Sequence, residues 1–249
     1  MEYVNFNNKI DSYEAVYNKR LEFESNKILN IDEFLTQESV DKIYHFLNNM
    51  PEDWWYSVFY IQPENNSESD GSRVEPIYIR NFQENKEIIN SHYLTTLNRF
   101  SNNYFSYSFN RTFENHYTDC SCELCKFTSF FKSEKFISKI SHLTGYNLTK
   151  TNEIFASRYV SGNFLSPHHD RNKGKIGLTF NLTPNWLPQY GGILHILSDD
   201  SKEIVRSYVP KYNCAVLFDI PTQSGIPHFV SHVAPGINKK RLAITFWLE

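Results

Sequence analysis

Ser166-Pro167-His168-His169-Asp170 lies inside a run of short segments rich in Val, Ile, Phe, Thr and Tyr. On an extended strand, residues two apart face the same way. His168 and Asp170 therefore present an imidazole and a carboxylate on one side, while His169 faces the other. Another imidazole, in Pro227-His228, stands about sixty residues on. It closes a triangle with the first two if the intervening chain returns as antiparallel strands. Two His and one carboxylate on one face of a metal suit non-haem Fe(II) and leave other positions open. Arg241, on the last strand-like run, offers a planar fork for the carboxylate of a co-substrate.

The segments around this stretch indicate the fold. They are 153–160, 164–169, 175–183, 192–197, 203–209, 213–219, 228–233 and 240–248, separated by Gly, Pro, Asn and Asp. Eight short strands with no helix between them suit a double-sheet jelly roll. Upstream, the polar residues 2–26 do not declare a helix or a strand. Lys27 to Ile31 reads as a strand. Thr36 can cap a helix carrying Val40, Ile43, Tyr44, Phe46 and Leu47, with Pro51 as its stop. Trp54 to Ile61 reads as a strand, and Gln62 to Ser72 as a loop. A second helix is expected over 84–100, with Ile88, Ile89, Tyr93, Leu94 and Leu97 on its buried side. Phe105, Tyr107, Phe109, Arg111 and Phe113 alternate with polar residues, as a strand does. A third helix is expected over 129–143, with Gly145 at its C-terminal cap. The fold expected is mainly β with flanking helices around a double-stranded β-helix (jelly roll, cupin-like) core. One domain spans 1–249, in which 1–147 supports a core formed by 148–249.

The chain has 249 residues and a net charge of −3, so it carries no electrostatic footprint for non-specific nucleic-acid binding. Aromatic residues, mostly Phe and Tyr, make up 16% of it and supply large buried area to strands. No stretch is long and apolar enough to span a membrane, and Met1 to Lys9 lacks a signal-peptide pattern. A cytoplasmic protein, monomer or homodimer, is expected. Three of the four Cys crowd between 120 and 125, unlike a disulfide scaffold.

Taken together, the motifs resemble a known family. They are Arg158-Tyr159-Val160-Ser161-Gly162, then Leu165-Ser166-Pro167-His168-His169-Asp170, then Gly191-Gly192-Ile193-Leu194, then His228-Phe229-Val230-Ser231-His232-Val233, and finally Arg241 followed by Trp247. In this order they resemble the Fe(II)/2-oxoglutarate-dependent dioxygenases of the prolyl-hydroxylase type. The likeness covers about 148–249. A weaker version upstream is similar to ribosomal prolyl hydroxylases of the yeast termination-factor-associated kind. The resemblance implies His168, Asp170 and His228 as Fe(II) ligands and Arg241 as partner of the distal carboxylate of 2-oxoglutarate. It places Thr245 beside that carboxylate and Tyr159 in the wall of the co-substrate pocket. Asn181 stands where some relatives use a Tyr. O2 and the reductant ascorbate complete the implied set.

The implied reaction is hydroxylation of an unactivated C–H bond, of a prolyl or other residue in a peptide or protein, with 2-oxoglutarate decarboxylated to succinate. The same chemistry on a free amino acid or small natural product is the alternative. Outside this class stand a non-catalytic metal-binding jelly roll and a cupin-like zinc protein, in which Arg241 has no task. His232, four residues after His228, is the competing distal ligand. Val230, Val233 and Gly236 fit the family pattern when His228 is chosen. Trp247 is expected to pack beside the site and His195 to be an ordinary strand residue; His169 is expected to be structural filler, with a substrate-side contact as its alternative. A separate cluster, His116, Cys120, Cys122 and Cys125, has zinc-ligand residue types at cramped spacing, and a surface loop with free thiols or one local disulfide is its plain alternative.

Overall fold

In the computed structural model, residues 3–62, 75–81, 83–113, 120–220 and 226–249 are described. Helix α1 (Tyr13–Asn26) leads into strand β1 (Ile28–Asp32), helix α2 (Gln37–Asn49) and strands β2 (Tyr56–Ile61) and β3 (Ile77–Arg80). Helix α3 (Lys86–Ser101), strand β4 (Ser106–Arg111) and helices α4 (Glu123–Phe131) and α5 (Glu134–Thr144) follow. Eight strands then run without an α-helix between them: β5 (Thr151–Tyr159), β6 (Phe164–His168), β7 (Ile176–Asn181), β8 (Leu194–Leu197), β9 (Ile204–Tyr208), β10 (Cys214–Asp219), β11 (His228–Val230) and β12 (Arg241–Leu248). The expected eight-strand core is therefore present. Most of the 62–72 loop lies outside the described residues. Among the described residues, no helix is long and apolar enough to cross a membrane.

Local chemistry explains the helix ends. The hydroxyls of Ser12, Thr36 and Ser133 accept backbone N–H groups at the starts of α1, α2 and α5. Gly145, at φ 77°, ends α5 in the left-handed conformation. The single helix expected over 129–143 is instead two. Ser133 leaves the helical path to cap α5, and the break lets Phe130 and Phe131 turn onto Phe136. The undecided 2–26 segment holds α1, and Trp54 belongs to a short 3-10 turn rather than to β2. On α3 the expected apolar face is only partly used: Ile88 and Leu94 are exposed, and Thr96 is its buried residue.

Every strand pairing among the described residues is antiparallel; ten strands follow one another in the order β1-β10-β7-β12-β5-β4-β6-β11-β8-β9, and β2 pairs with β4 and β3 beside them. β4 pairs with both β5 and β6, and so carries the sheet around from one layer to the other. The pleat sorts β12 into two faces. Leu242, Ile244, Phe246 and Leu248 join a core shared with the helices. Trp247 joins a second core between the layers, with Phe109, Phe155, Tyr159, Phe218 and Val230; Arg241, Ala243 and Thr245 share its parity. Arg158 ties the N-terminal region to β5: its fork bonds both carboxylate oxygens of Glu52 at 2.7 Å, its Nε donates to Asn110, and it lies over the Trp55 ring.

Phe136 is at the centre of the helix-side core, fully buried and in ring contact with Phe6, Phe34, Phe130, Phe131 and Phe246. Phe136→Ala is expected to lower unfolding stability by roughly 3–5 kcal/mol, as large cavities in aromatic cores do. The check is the urea midpoint at unchanged m-value; a loss below about 1 kcal/mol would mean that the cluster is loosely packed.

Candidate active site

β6 and β11 lie side by side with His168 opposite His228, their rings 4.2 Å apart. Each imidazole is tethered through Nδ1, His168 to the Ser166 carbonyl at 3.1 Å and His228 to the Ile226 carbonyl at 2.8 Å. A ring that donates from Nδ1 keeps the Nε2 lone pair for a metal. Both Nε2 atoms face Asp170: His168 is 3.5 Å from Oδ1 and His228 is 3.6 Å from Oδ2. One ligand atom from each of the three residues lies within 4.8 Å of the others. This donor set and spacing fit three positions on one face of a first-row divalent cation.

The electrostatics agree with a cation site. Burial alone would push the Asp170 carboxyl up; the hydrogen bond with His168, the His228 imidazole and the indole of Trp247 outweigh it and hold the group well below the usual carboxylate range. Burial, followed by the neighbouring His168, lowers His228 to about 4, so the ring is neutral at pH 7. Trp247 Nε1 donates to Asp170 Oδ2 at 3.0 Å. Trp247 thus does more than pack beside the site. The signal was in the sequence, because Arg241, Thr245 and Trp247 are two or four apart on one strand and share a face.

Arg241 is 3% exposed, yet its Nε has no hydrogen-bond partner, and no carboxylate among the described residues pairs with it. Its guanidinium lies 5.0 Å from the Tyr159 ring, the residue opposite it on β5. An ionised group buried without a counter-charge is costly and is a mark of a ligand site. Gly192 makes room for this side chain: at φ 62°, a Cβ there would come within 2.9 Å of Arg241 Cδ and 3.2 Å of Val233. Thr245 faces Thr179 across the β12–β7 pair, and each is the one incompletely buried residue of its strand. Asn181 shares the parity of Thr179; its amide bonds the Cys214 carbonyl at 3.4 Å, and its buried Oδ1 is unpartnered. An aromatic row on β4 links the two ends. Phe105 lies 5.8 Å from the His168 ring, Tyr107 packs between Phe105 and Phe109, and Phe109 stacks on Tyr159 at 5.0 Å.

The remaining residues fall elsewhere. His232 stacks on Phe164 at 4.2 Å and meets Phe100, away from the His168–Asp170–His228 cluster. His169 is exposed, and His195 bonds Ser207 and stacks on Phe229. Cys120, Cys122 and Cys125 form their own group at the start of α4. His116 lies outside the described residues.

The described residues thus form a two-layer antiparallel roll with an inward His-Asp-His cluster and a buried arginine beyond it. Residues 154–249 match the family model of the 2OG-Fe(II) oxygenase superfamily, the family for which Fe(II) and 2-oxoglutarate are implied. The resemblance to the prolyl-hydroxylase type holds in two curated relatives, both prolyl 3-hydroxylase OGFOD1. The Xenopus laevis protein is 32% identical over 121 residues, covering 47% of this chain and 23% of the relative. The Mus musculus protein is 30% identical over 119 residues, covering 46% and 21%. The matched stretch thus spans less than a quarter of either relative's length. Among solved structures, a Trichoplax adhaerens prolyl hydroxylase in complex with a hypoxia inducible factor peptide fragment shares the fold, with a TM-score of 0.59 at 18% identity over 95% of this chain and 92% of that one.

Because His228 is held neutral, with its pKa about 4 against 6.5 for a free imidazole, the unfolded chain binds a proton before the folded one does. Stability of the metal-free protein is therefore expected to be retained above about pH 6.5 and to fall as pH drops towards 4. Urea midpoints across this range measure it, and His228→Gln should flatten the slope.

Proposed function

We propose that this chain is an Fe(II)/2-oxoglutarate-dependent oxygenase that hydroxylates an unactivated C–H bond of a prolyl or other residue in a peptide or protein. The observation that carries this reading is the pairing, inside one roll, of the His168–Asp170–His228 triangle with the unpartnered buried guanidinium of Arg241. The first fits a divalent cation and the second a carboxylate, which is what a chelating 2-oxo diacid demands of its site.

In this reading His168, Asp170 and His228 hold the iron, oriented by the Ser166 and Ile226 carbonyls and by the Trp247 indole. Arg241 takes the distal carboxylate of 2-oxoglutarate, with the Thr245 hydroxyl beside it and Asn181 on the neighbouring strand. Tyr159 forms the wall beneath the guanidinium. Bound iron with O2 supplies the oxidising power, and 2-oxoglutarate leaves as succinate and CO2; ascorbate serves as the reductant that keeps iron ferrous. The protein's part is to fix the donors, clamp the co-substrate and keep water out. Phe105, Tyr107 and Phe109 do the last, lining the way from His168 to Tyr159. The peptide or protein substrate is favoured by the relatives, which are named prolyl hydroxylases, one of them holding a peptide.

Anaerobic titration of the apoprotein with Fe(II) and 2-oxoglutarate tests this, read as the visible charge-transfer band of the chelate. The band is expected in wild type and in His232→Ala, and lost in His168→Ala and His228→Ala. Metal bound without a band would overturn the oxygenase reading. Arg241→Ala should spare iron but weaken 2-oxoglutarate by roughly 2 kcal/mol or more, about thirtyfold.

A gentler variant probes the same clamp. In Gly192→Ala a methyl group meets Arg241 Cδ at a left-handed backbone position. The expected result is an increase of about tenfold in the 2-oxoglutarate requirement, with iron affinity unchanged; an unaltered requirement would remove Gly192 from the account.

A further inference from the structure

Three thiols outside the roll have no part in the oxygenase site. Cys122 is the N-terminal cap of α4, Cys125 lies in its first turn, and Cys120 stands two residues before Cys122. Their sulfur atoms all lie within 4.8 Å of one another, and Cys122 and Cys125 are 3.5 Å apart. None is in a disulfide, and all three are partly shielded from solvent. Tetrahedral zinc with Zn–S bonds of about 2.3 Å holds its sulfurs roughly 3.8 Å apart. The observed triangle brackets that separation, so small rotamer changes suffice to close it on one ion.

We propose that Cys120, Cys122 and Cys125 form a second, zinc-binding site, structural in role and independent of the His168–Asp170–His228 cluster. Donor chemistry favours separate occupants. Three thiolates are soft and select zinc, whereas two imidazoles and a carboxylate with open positions suit iron(II). The location also differs. Cys122 packs against the helix-side core, on the opposite face of β12 from Arg241, whereas the imidazole cluster faces the space between the layers. The start of a helix favours the net negative charge of a zinc tris-thiolate. Leu124, Phe127 and Phe131 of α4 are all within 1% of complete burial. An ion at the first turn would fix the chain that enters this helix and so the seating of these side chains. A fourth coordination position is left for solvent or another donor. Each bound thiol gives up its proton to buffer, and no electrons are transferred.

The experiment measures bound metal rather than turnover. Full-length protein is purified in a non-chelating reductant, stripped, offered zinc alone, and assayed for retained zinc by mass spectrometry of the metal. In the double variant His168→Ala/Asp170→Ala, whose imidazole cluster can no longer compete for the ion, one equivalent is expected, and little or none once Cys122→Ser/Cys125→Ser is added to it. Cobalt(II) in place of zinc is expected to give a sulfur-to-metal charge-transfer band that persists in the His168→Ala/Asp170→Ala protein. If the cysteine variants do not fold, alkylation of the wild type decides: zinc should protect Cys120, Cys122 and Cys125 together. Zinc lost with the His168–Asp170 pair, retention after both cysteine changes, or unprotected thiols would each overturn the proposal. So would a Cys122–Cys125 disulfide that persists in the reductant. None of these outcomes depends on whether the oxygenase reading holds.

Discussion

The structure depends on one strand pairing, that of β6 with β11. It sets His228 opposite His168 and so brings together groups sixty residues apart in sequence. A slip of one residue would turn every side chain of β11 to the other face. The register is held from both sides. β11 also pairs with β8, where His228 stands against Ile196, and Gly191 bridges to Val233 just beyond. Gly191 can do this because it has no Cβ; one built there would fall 2.0 Å from the His232 carbonyl oxygen. The irregularity between His228 and Val230 is local and leaves His228 facing Asp170.

The same pleat rule governs β12, and there the apolar core enforces the chemistry. Leu242, Ile244, Phe246 and Leu248 are each completely buried against the helices. That leaves Arg241, Thr245 and Trp247 no choice but the inner face. The helix-side core therefore does not merely stabilise the sheet. It fixes which residues of the last strand face the space between the layers, and it sets against the cost of keeping a guanidinium there. The Tyr159 ring beneath Arg241 offsets part of that cost. The remainder is what an anion would relieve, and in the proposed reading that anion is the second carboxylate of 2-oxoglutarate.

The features legible in sequence were those with a local cause. All eight C-terminal strands were marked by composition and by the turn residues between them, and Thr36 and Gly145 stood at helix ends for reasons of their own chemistry. His168 and Asp170 were legible as a pair because they are two apart. Features that depend on packing were not. The break between α4 and α5 follows from three phenylalanines that need to converge, and helical periodicity runs straight through Lys132-Ser133. The buried face of α3 was misjudged because it runs along His92, Thr96 and Phe100, where His92 meets Phe59 and Phe100 meets Phe164, so that Thr96 rather than Leu94 is enclosed. A helix whose inner side carries His and Thr does not announce that side by hydrophobicity.

Trp247 shows where the two kinds of inference meet. Its size alone suits a packing residue, and it does pack, with Phe155 at a ring separation of 6.0 Å. Strand parity adds that it must share a face with Arg241. Only the structure adds that its N–H reaches Asp170. A carboxylate placed between two imidazoles has several ways to turn. A buried indole donor fixed in β12 removes that freedom, because the alternatives would leave the N–H unpaired in an apolar wall. The last strand thus carries the buried guanidinium at one end and the brace for the Asp170 carboxylate at the other. A shift in its register would disturb both together.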